Sequence, residues 1–572
     1  MNKSRLSNYD KFPSTRVAGS VYVGWDSIAS RLLLDKPSVL AVDCYAGVYE
    51  DSVEEALGRF FSRVIRTRDL MKPEGEVRAM TERFMTDDVL FGYVSPLRLD
   101  DFFDNNKMER ARERVADGTL VIGPGAALVA PEATLVYADM ARWEIQQRMR
   151  AHRVTGLGIN DSDAPVSIQY KRGYFIDWRA LDYYKDSLFG RIGWFLDTND
   201  SSRPKLIDAD TFFRGMALTA RKPFRVVPFF DPAPWGGQWM KEVCDLDRSV
   251  SNFGWCFDCV PEENSLLLEV EGEKVEFPAV DLVLLHSREL LGAPVEGRFG
   301  KDFPIRFDFL DTMGGGNLSL QVHPTTQFIR EQFGMAYTQD ESYYLMDAGE
   351  GATVYLGVRS GVDRDAMFDD LRAAQRGEIS FDAEKYVNRI PAKRHDHFLI
   401  PGGTVHCSGA NAMVLEISAT PNLFTFKLWD WNRLGLDGKP RPINVERGSK
   451  VVQWERDIEY VHQHLVNHFE PVAGGEGWEE IRTGLHPAEF IETRRTAFSV
   501  PVSFRTGDSV QVLNLVEGES AVVESPSGDF EPFEVHYAET FIIPARVGEF
   551  SIRPVRDGQR CMVIRAFVRF NP

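Results

Sequence analysis

Apolar positions fall into two different rhythms along this chain. From about Pro37 to Arg150, short apolar runs alternate with longer stretches of helical spacing. Ser38–Cys44 (SVLAVDC) reads as a buried strand, and the positions from Val53 to Ile65 follow a helical period. Gly118–Ile122 (GTLVI) and Ala133–Tyr137 (ATLVY) are again short apolar runs, and Trp143–Arg148 reads as a helix. Strand, helix and strand in this order predict a parallel α/β domain, placed at residues 1–215. After Phe230 the punctuation changes. Asp231-Pro232, Gly236-Gly237, Gly314-Gly315-Gly316 and Pro401-Gly402-Gly403 separate short β-branched and aromatic runs, the texture of antiparallel sandwiches or barrels. Two passages of helical spacing interrupt it, Asp363–Arg376 and Asn444–Phe469, and the last ninety or so residues return to strands.

Composition narrows the function classes. A chain of 572 residues is too long for one core, and 43% hydrophobic with 26% charged residues excludes wholesale disorder. A formal charge of −19 repels phosphate backbones and anionic lipid, which argues against a nucleic-acid or membrane binder. A small positive pocket for one phosphorylated metabolite remains compatible with it. Six scattered cysteines do not make a disulfide framework. The opening MNKSRLSNYDKFPSTR has no apolar run behind its basic residues, and no stretch approaches the roughly 18 apolar residues that span a bilayer. The expectation is a soluble, cytoplasmic, multidomain protein with a small-molecule partner.

Chemistry concentrates in the β-rich part. In Asn317–His323 (NLSLQVH) alternate residues share a strand face, so Ser319, Gln321 and His323 project together. Burying Gln beside His is costly unless something satisfies both. Glu341 stands in DESYYLM, with Tyr343 and Leu345 continuing its face, and His406 closes FLIPGGTVH after a tight turn. Gln321, His323, Glu341 and His406 together offer two imidazoles, a carboxylate and an amide oxygen, a donor set suited to a catalytic divalent metal. Zinc is the first choice, and Mn, Fe, Co and Ni accept the same donors. Any one of the four alone reads more simply as a polar residue beside a turn; four in one β-rich domain reverse that reading. The later segment FIIPARVGE repeats the strand, proline and turn of FLIPGGTVH with Glu549 where the first copy has His406. Two related barrels, one equipped for chemistry and one not, produce such a pair.

The series NLSLQVHP, DESYYLM, FLIPGGTVHCSG, MVLEIS and LWDWNR resembles the type I mannose-6-phosphate isomerases of the cupin superfamily over about Pro223 to Phe570. Pro234-Trp235-Gly236-Gly237 and FPIRFDFLDT add to the resemblance. It implies a mainly-β double cupin of jelly-roll barrels with helical insertions: a first cupin at 216–440 with the metal, a helical connection at 441–484, and a second cupin at 485–572 without ligands. It further implies that Gln321, His323, Glu341 and His406 ligate zinc, and that mannose 6-phosphate and fructose 6-phosphate interconvert by proton transfer between C1 and C2. Glu416 and Lys427 are the candidate catalytic groups, with Ser319 and Trp235 as substrate contacts. Departures from the pattern bear on the substrate. Gln339 and Asp308 stand where the family carries lysines, and Lys427 stands near its arginine. A phosphate dianion needs positive charge or N–H donors. Either Lys393, Arg394 or Arg433 replaces the lost cations, or the substrate is an unphosphorylated sugar. The alternative of another class is a non-catalytic, metal-containing sugar-binding or regulatory protein.

The amino-terminal domain faintly resembles the uridine-kinase-like branch of P-loop proteins, with SVLAVDCYAGVYEDSVEEAL at the place of strand, phosphate loop and helix. That loop lacks Gly-Lys-Ser/Thr and presents Glu50 and Asp51, which disfavours ATP phosphates and predicts a structural or interaction domain without kinase activity. The lone pair Cys256 and Cys259 reads as core packing. His462, His464 and His468 read as a solvated helix face. His395 and His397 either line the mouth of the site, changing charge near neutral pH, or belong to a plain loop.

Overall fold

The computed structural model describes residues 7–421, 423–434, 443–484 and 486–570. The first six residues of the opening segment, and 435–442 at the junction of the expected first barrel and its helical connection, lie outside them. The chain separates into two compact units. Ser14–Thr219 with Glu262–His286 forms an α/β unit, and the remaining described residues form a β unit.

The α/β unit carries a seven-stranded sheet in the order Val21–Val23, Lys205–Asp208, Trp194–Asp197, Thr134–Asp139, Val39–Cys44, Thr119–Ile122, Arg63–Arg66. Five of these strands pair in parallel, and Lys205–Asp208 pairs antiparallel with Trp194–Asp197 on one side and with Val21–Val23 at the edge. Leu40, Ala41 and Val42 are wholly buried, as a central parallel strand covered on both faces requires. The helical period from Val53 stops sooner than the pattern predicts. The helix is Glu50–Leu57, and the β-branched pair Val64-Ile65 belongs to strand Arg63–Arg66.

Glu262–His286 corrects the expected domain bounds. Ser265–Val270 and Glu273–Pro278 form a hairpin that pairs in parallel with Ser14–Arg16. The helix behind it sends Asp281 to Lys185, which lies between Asp139 at 3.1 Å and Asp281 at 2.5 Å with no exposure. This excursion leaves the β-rich sequence on either side with the same texture, which is why periodicity did not mark it.

The β unit contains four antiparallel sheets. A six-stranded sheet orders His397–Ile400, Glu341–Ala348, Ala412–Ala419, Ile305–Asp311, Trp255–Cys259 and Phe229–Asp231. A five-stranded sheet orders Val387–Pro391, Thr353–Val358, His406–Ser408, Leu320–Val322 and Phe426–Trp429. The third and fourth sheets, with six and four strands, lie between Glu470 and Val568. They share one core, in which Leu513, Val563 and Phe541 from one meet Phe504, Phe550 and Val523 from the other. The helical connection expected at 441–484 is helical only in part. Val445–Gly448 and Ile458–His464 are helices, whereas Glu470–Gly475 and Trp478–Gly484 are strands that extend the third sheet through Ile491–Phe498. The expected helix after Asp363 is Arg364–Gln375, with the Asp363 carboxylate accepting from the backbone of Asp365 and Ala366 and with Met367, Phe368, Leu371 and Ala374 buried. Among the described residues no helix is long and apolar enough to cross a membrane.

Candidate metal centre

Two sheets supply the polar cluster. In the five-stranded sheet Gln321 is registered opposite His406 on one side and Lys427 on the other, and His323 follows the end of its strand. In the six-stranded sheet Glu341 pairs with Ser418, and Glu416 stands between Tyr343 and Asp308. The alternation of NLSLQVH and of DESYYLM thus turns these side chains inward, into the space between the sheets.

His323, Glu341 and His406 form the metal-like cluster found among the described residues, each offering a donor atom within 4.8 Å of the others. His323 Nε2 lies 3.0 Å from one Glu341 oxygen and His406 Nε2 lies 2.7 Å from the other. Both rings are anchored from behind. Nδ1 of His323 faces the Phe424 carbonyl at 3.1 Å, and Nδ1 of His406 faces the Thr404 carbonyl at 2.8 Å. Only N–H satisfies a carbonyl, so both rings carry hydrogen on Nδ1 and turn Nε2 to the carboxylate. Gln321 completes the set with its amide 3.2 Å from His406 Nε2, and rotation of that amide presents its oxygen instead.

These donors fit a divalent cation. Nε2 can meet a carboxylate either through an added proton on each ring or through one shared cation. Two imidazolium ions are costly where His323 and His406 are 1% and 0% exposed. His323 Nε2 and Glu341 Oε1 are also buried without a well-formed hydrogen bond, although they lie 3.0 Å from Glu341 Oε2 and 2.7 Å from His406 Nε2, respectively. Burial alone would raise the Glu341 carboxyl, but positive charge at the His323 and His406 rings outweighs it and holds the group well below the ordinary range, and a shared cation would supply that charge without two buried imidazolium ions.

Beneath the cluster lies a cation that the sequence reading missed. Arg306 is 3% exposed, donating from Nε to Asp308 at 2.6 Å and from Nη2 to Glu416 at 2.7 Å. Gln339 bridges Glu341 at 3.0 Å and Glu416 at 3.2 Å. Burial and the neighbouring Glu341 push the Glu416 carboxyl well up, against the pull of Arg306. The signal for Arg306 was present in FPIRFDFLDT: residues two apart share a strand face, so Arg306 accompanies Asp308.

The other candidates are more dispersed. Lys427 is half-buried, opposite Gln321. Ser319 donates to Asp430 at 2.8 Å, and Asp430 also holds Arg433 at 2.7 Å, so Arg433 is already neutralised. Trp235 is buried, its ring edge-on to Trp255 at 5.2 Å. Arg394 donates to the Met346 carbonyl, and Lys393 is exposed. His395 and His397 do not change charge near neutrality, because burial pushes them down to about 4 and about 3. Cys256 and Cys259 are buried in a strand, and His462, His464 and His468 are exposed. Glu549, the counterpart of His406 in the second repeat, is exposed and pairs with Arg505 at 2.6 Å.

Residues 24–221 match a domain family described as a domain of unknown function, DUF8485. The chain also resembles mannose-6-phosphate isomerases. It is 23% identical to mannose-6-phosphate isomerase ManA of Bacillus subtilis over 335 residues, 58% of this chain and 96% of that one. It is 26% identical to the mannose-6-phosphate isomerase of Streptococcus mutans over 220 residues, 38% of this chain and 64% of that one. The crystal structure of the Bacillus subtilis mannose 6-phosphate isomerase superposes with a TM-score of 0.49 at 18% identity, covering 60% of this chain and 99% of that one.

Proposed function

We propose that this protein is a metal-dependent aldose–ketose isomerase of the mannose-6-phosphate isomerase type, working in the β unit, whose two pairs of sheets we read as the two cupin barrels. The observation that carries the reading is the convergence of His323, Glu341 and His406, each imidazole fixed from behind by a main-chain carbonyl. These three residues with Gln321 would hold one divalent ion, zinc by first preference. Such an ion would order and polarise the sugar's oxygens. Glu416 is the candidate proton carrier. Its carboxyl is raised, and Arg306, Gln339 and Ser418 fix it through hydrogen bonds of 2.7, 3.2 and 3.0 Å. Lys427 supplies positive charge at the opposite sheet. The sequence relatives, named as mannose-6-phosphate isomerases, point to the same reaction class. The α/β unit we read as a kinase-like domain whose phosphate loop has been lost. The test is His406→Ala, which should lose both bound metal, measured by atomic emission, and turnover; full turnover in a metal-free variant would sink the reading.

A second reading concerns the substrate and rests on charge. Counted as ionised and apart from Lys427 on the opposite sheet, Glu341, Asp308 and Glu416 set three carboxylates against the Arg306 guanidinium, so a divalent cation brings this cluster only to formal neutrality. That suits an unphosphorylated sugar better than a dianion. Turnover measured side by side on mannose 6-phosphate and free mannose decides between them. Acceleration of the phosphosugar alone in Gln339→Lys would mark the missing cation as the barrier. Metal retention with no turnover on either sugar would instead favour a binding or regulatory role.

A further inference from the structure

A cleft of about 790 Å³ opens in the α/β unit, lined by none of the residues assigned to the candidate metal centre. Its walls are the loop that leaves the central strand Val39–Cys44, the turn around Arg68, the segment Arg153–Asp161 and the helical stretch from Gln169 to Trp178. After Val39–Cys44 the chain crosses to Arg63–Arg66 on one side, and after Thr119–Ile122 it crosses back to Thr134–Asp139 on the other, so the connections diverge at the carboxyl ends of these neighbouring strands. Open parallel sheets place ligands at such a point.

The lining is unsuited to phosphate. Six carboxylates face three basic side chains. Arg68, beside the loop, is engaged by Glu50 at 3.4 Å and by Asp51. What the cleft offers is unmet acceptor capacity. Gln169 is 3% exposed, and its amide nitrogen donates to the carbonyls of Val154 at 3.2 Å and Asp161 at 2.8 Å. Two carbonyl partners fix the amide's orientation, so the atom left with no partner is Oε1, an acceptor. Asp177 is likewise 3% exposed. One of its oxygens accepts from the Leu157 N–H at 3.0 Å and from Arg172 at 3.1 Å, and the other, Oδ1, has no partner. A buried acceptor left unmade costs about 1–3 kcal/mol, and two lining one cleft ask for a ligand that brings donors. Asp177 ends a π-helical turn, Gly173–Asp177, an irregularity that clusters at functional sites. Val48, Ile145, Met149 and Leu157 add apolar wall.

We propose that this cleft binds a small organic cation, an amine or guanidine on an apolar stem, whose N–H groups satisfy Gln169 Oε1 and Asp177 Oδ1. The inference is independent of the isomerase reading, since it uses other residues in the other unit. The test is calorimetric and saturation-transfer NMR titration of the full-length protein with agmatine and butylamine, and in parallel with 1-butanol, inorganic phosphate and ATP. The expected result is saturable one-to-one binding of the amines, no binding of 1-butanol, and no competition from phosphate or ATP. Gln169→Met and Asp177→Asn should each weaken the amines by about tenfold. Both residues are buried, so Glu50→Lys, at the partly exposed start of helix Glu50–Leu57, is the companion variant and should weaken amine binding several-fold through charge alone. Absence of amine binding at millimolar concentration, equal binding of 1-butanol, ATP occupying the cleft, or unchanged amine affinity in Glu50→Lys would each overturn the proposal.

Discussion

Arg306 is the residue on which the candidate site turns. It holds Asp308 and Glu416 by hydrogen bonds and opposes, without cancelling, the upward push that burial gives both carboxyls. Removing one member of a buried ion cluster leaves uncompensated charge. Arg306→Met should therefore destabilise the β unit by about 3–5 kcal/mol, read from urea denaturation, and the double variant Arg306→Met/Asp308→Leu should recover part of that loss. If Arg306→Met costs nothing, the cluster is not the anchor described here. Among the proposed ligands, Gln321 and His323 were legible because strand alternation fixes which side chains share a face, and His406 because of the tight turn before it. Arg306 obeys the same rule beside Asp308, but a lone arginine among aromatic residues carries no ligand signature in the sequence.

At the scale of the element, the turn Pro401-Gly402-Gly403 sets His406 in place. Gly403 has φ +92°, and a Cβ there would meet Gln453 Cγ at 2.5 Å and the Val451 carbonyl at 2.8 Å. Its N–H donates to the His323 carbonyl at 2.8 Å, so one glycine ties the turn to a second proposed ligand. Gly403→Ala should cost about 1–3 kcal/mol and weaken metal binding in a competition titration against a chromophoric chelator; unchanged affinity would show that the turn does not position the cluster. The tight turn was readable from its sequence. The extent of the helices was not. Period alone ran the first helix on to Ile65, although the β-branched pair Val64-Ile65 favours the strand found there. The hairpin Ser265–Pro278 was equally invisible, because its partner Ser14–Arg16 lies some 250 residues away and long-range pairing leaves no local trace.

Over the whole molecule, acidity and pairing set a stability window. His536 is raised above 6.5 by its contact with Glu539, and Glu539 is lowered below 4.5 because Arg225 and His536 outweigh its burial. The raised imidazole stabilises the fold below about 6.5 and loses that contribution as pH rises through its folded value; the lowered carboxyl stabilises above about 4.5 and loses it as pH falls. His536→Gln should flatten the alkaline side of the profile of unfolding free energy against pH, read from urea denaturation, by on the order of 0.5–1 kcal/mol, and an unchanged profile would exclude the pair as a contributor.

The ring of donors between the two sheets carries a last consequence. Its members come from strands spread between residues 321 and 406, so an ion held there would act as a clasp across a long stretch of chain, and folding and loading would become one equilibrium. An ion present at a hundred times its dissociation constant adds about 2.7 kcal/mol to the folded state. The melting temperature should then rise with the logarithm of free zinc and fall on addition of a chelator, while His406→Ala should be indifferent to both. The amount of zinc in the surroundings would thereby govern how long the protein persists, as well as how fast it works.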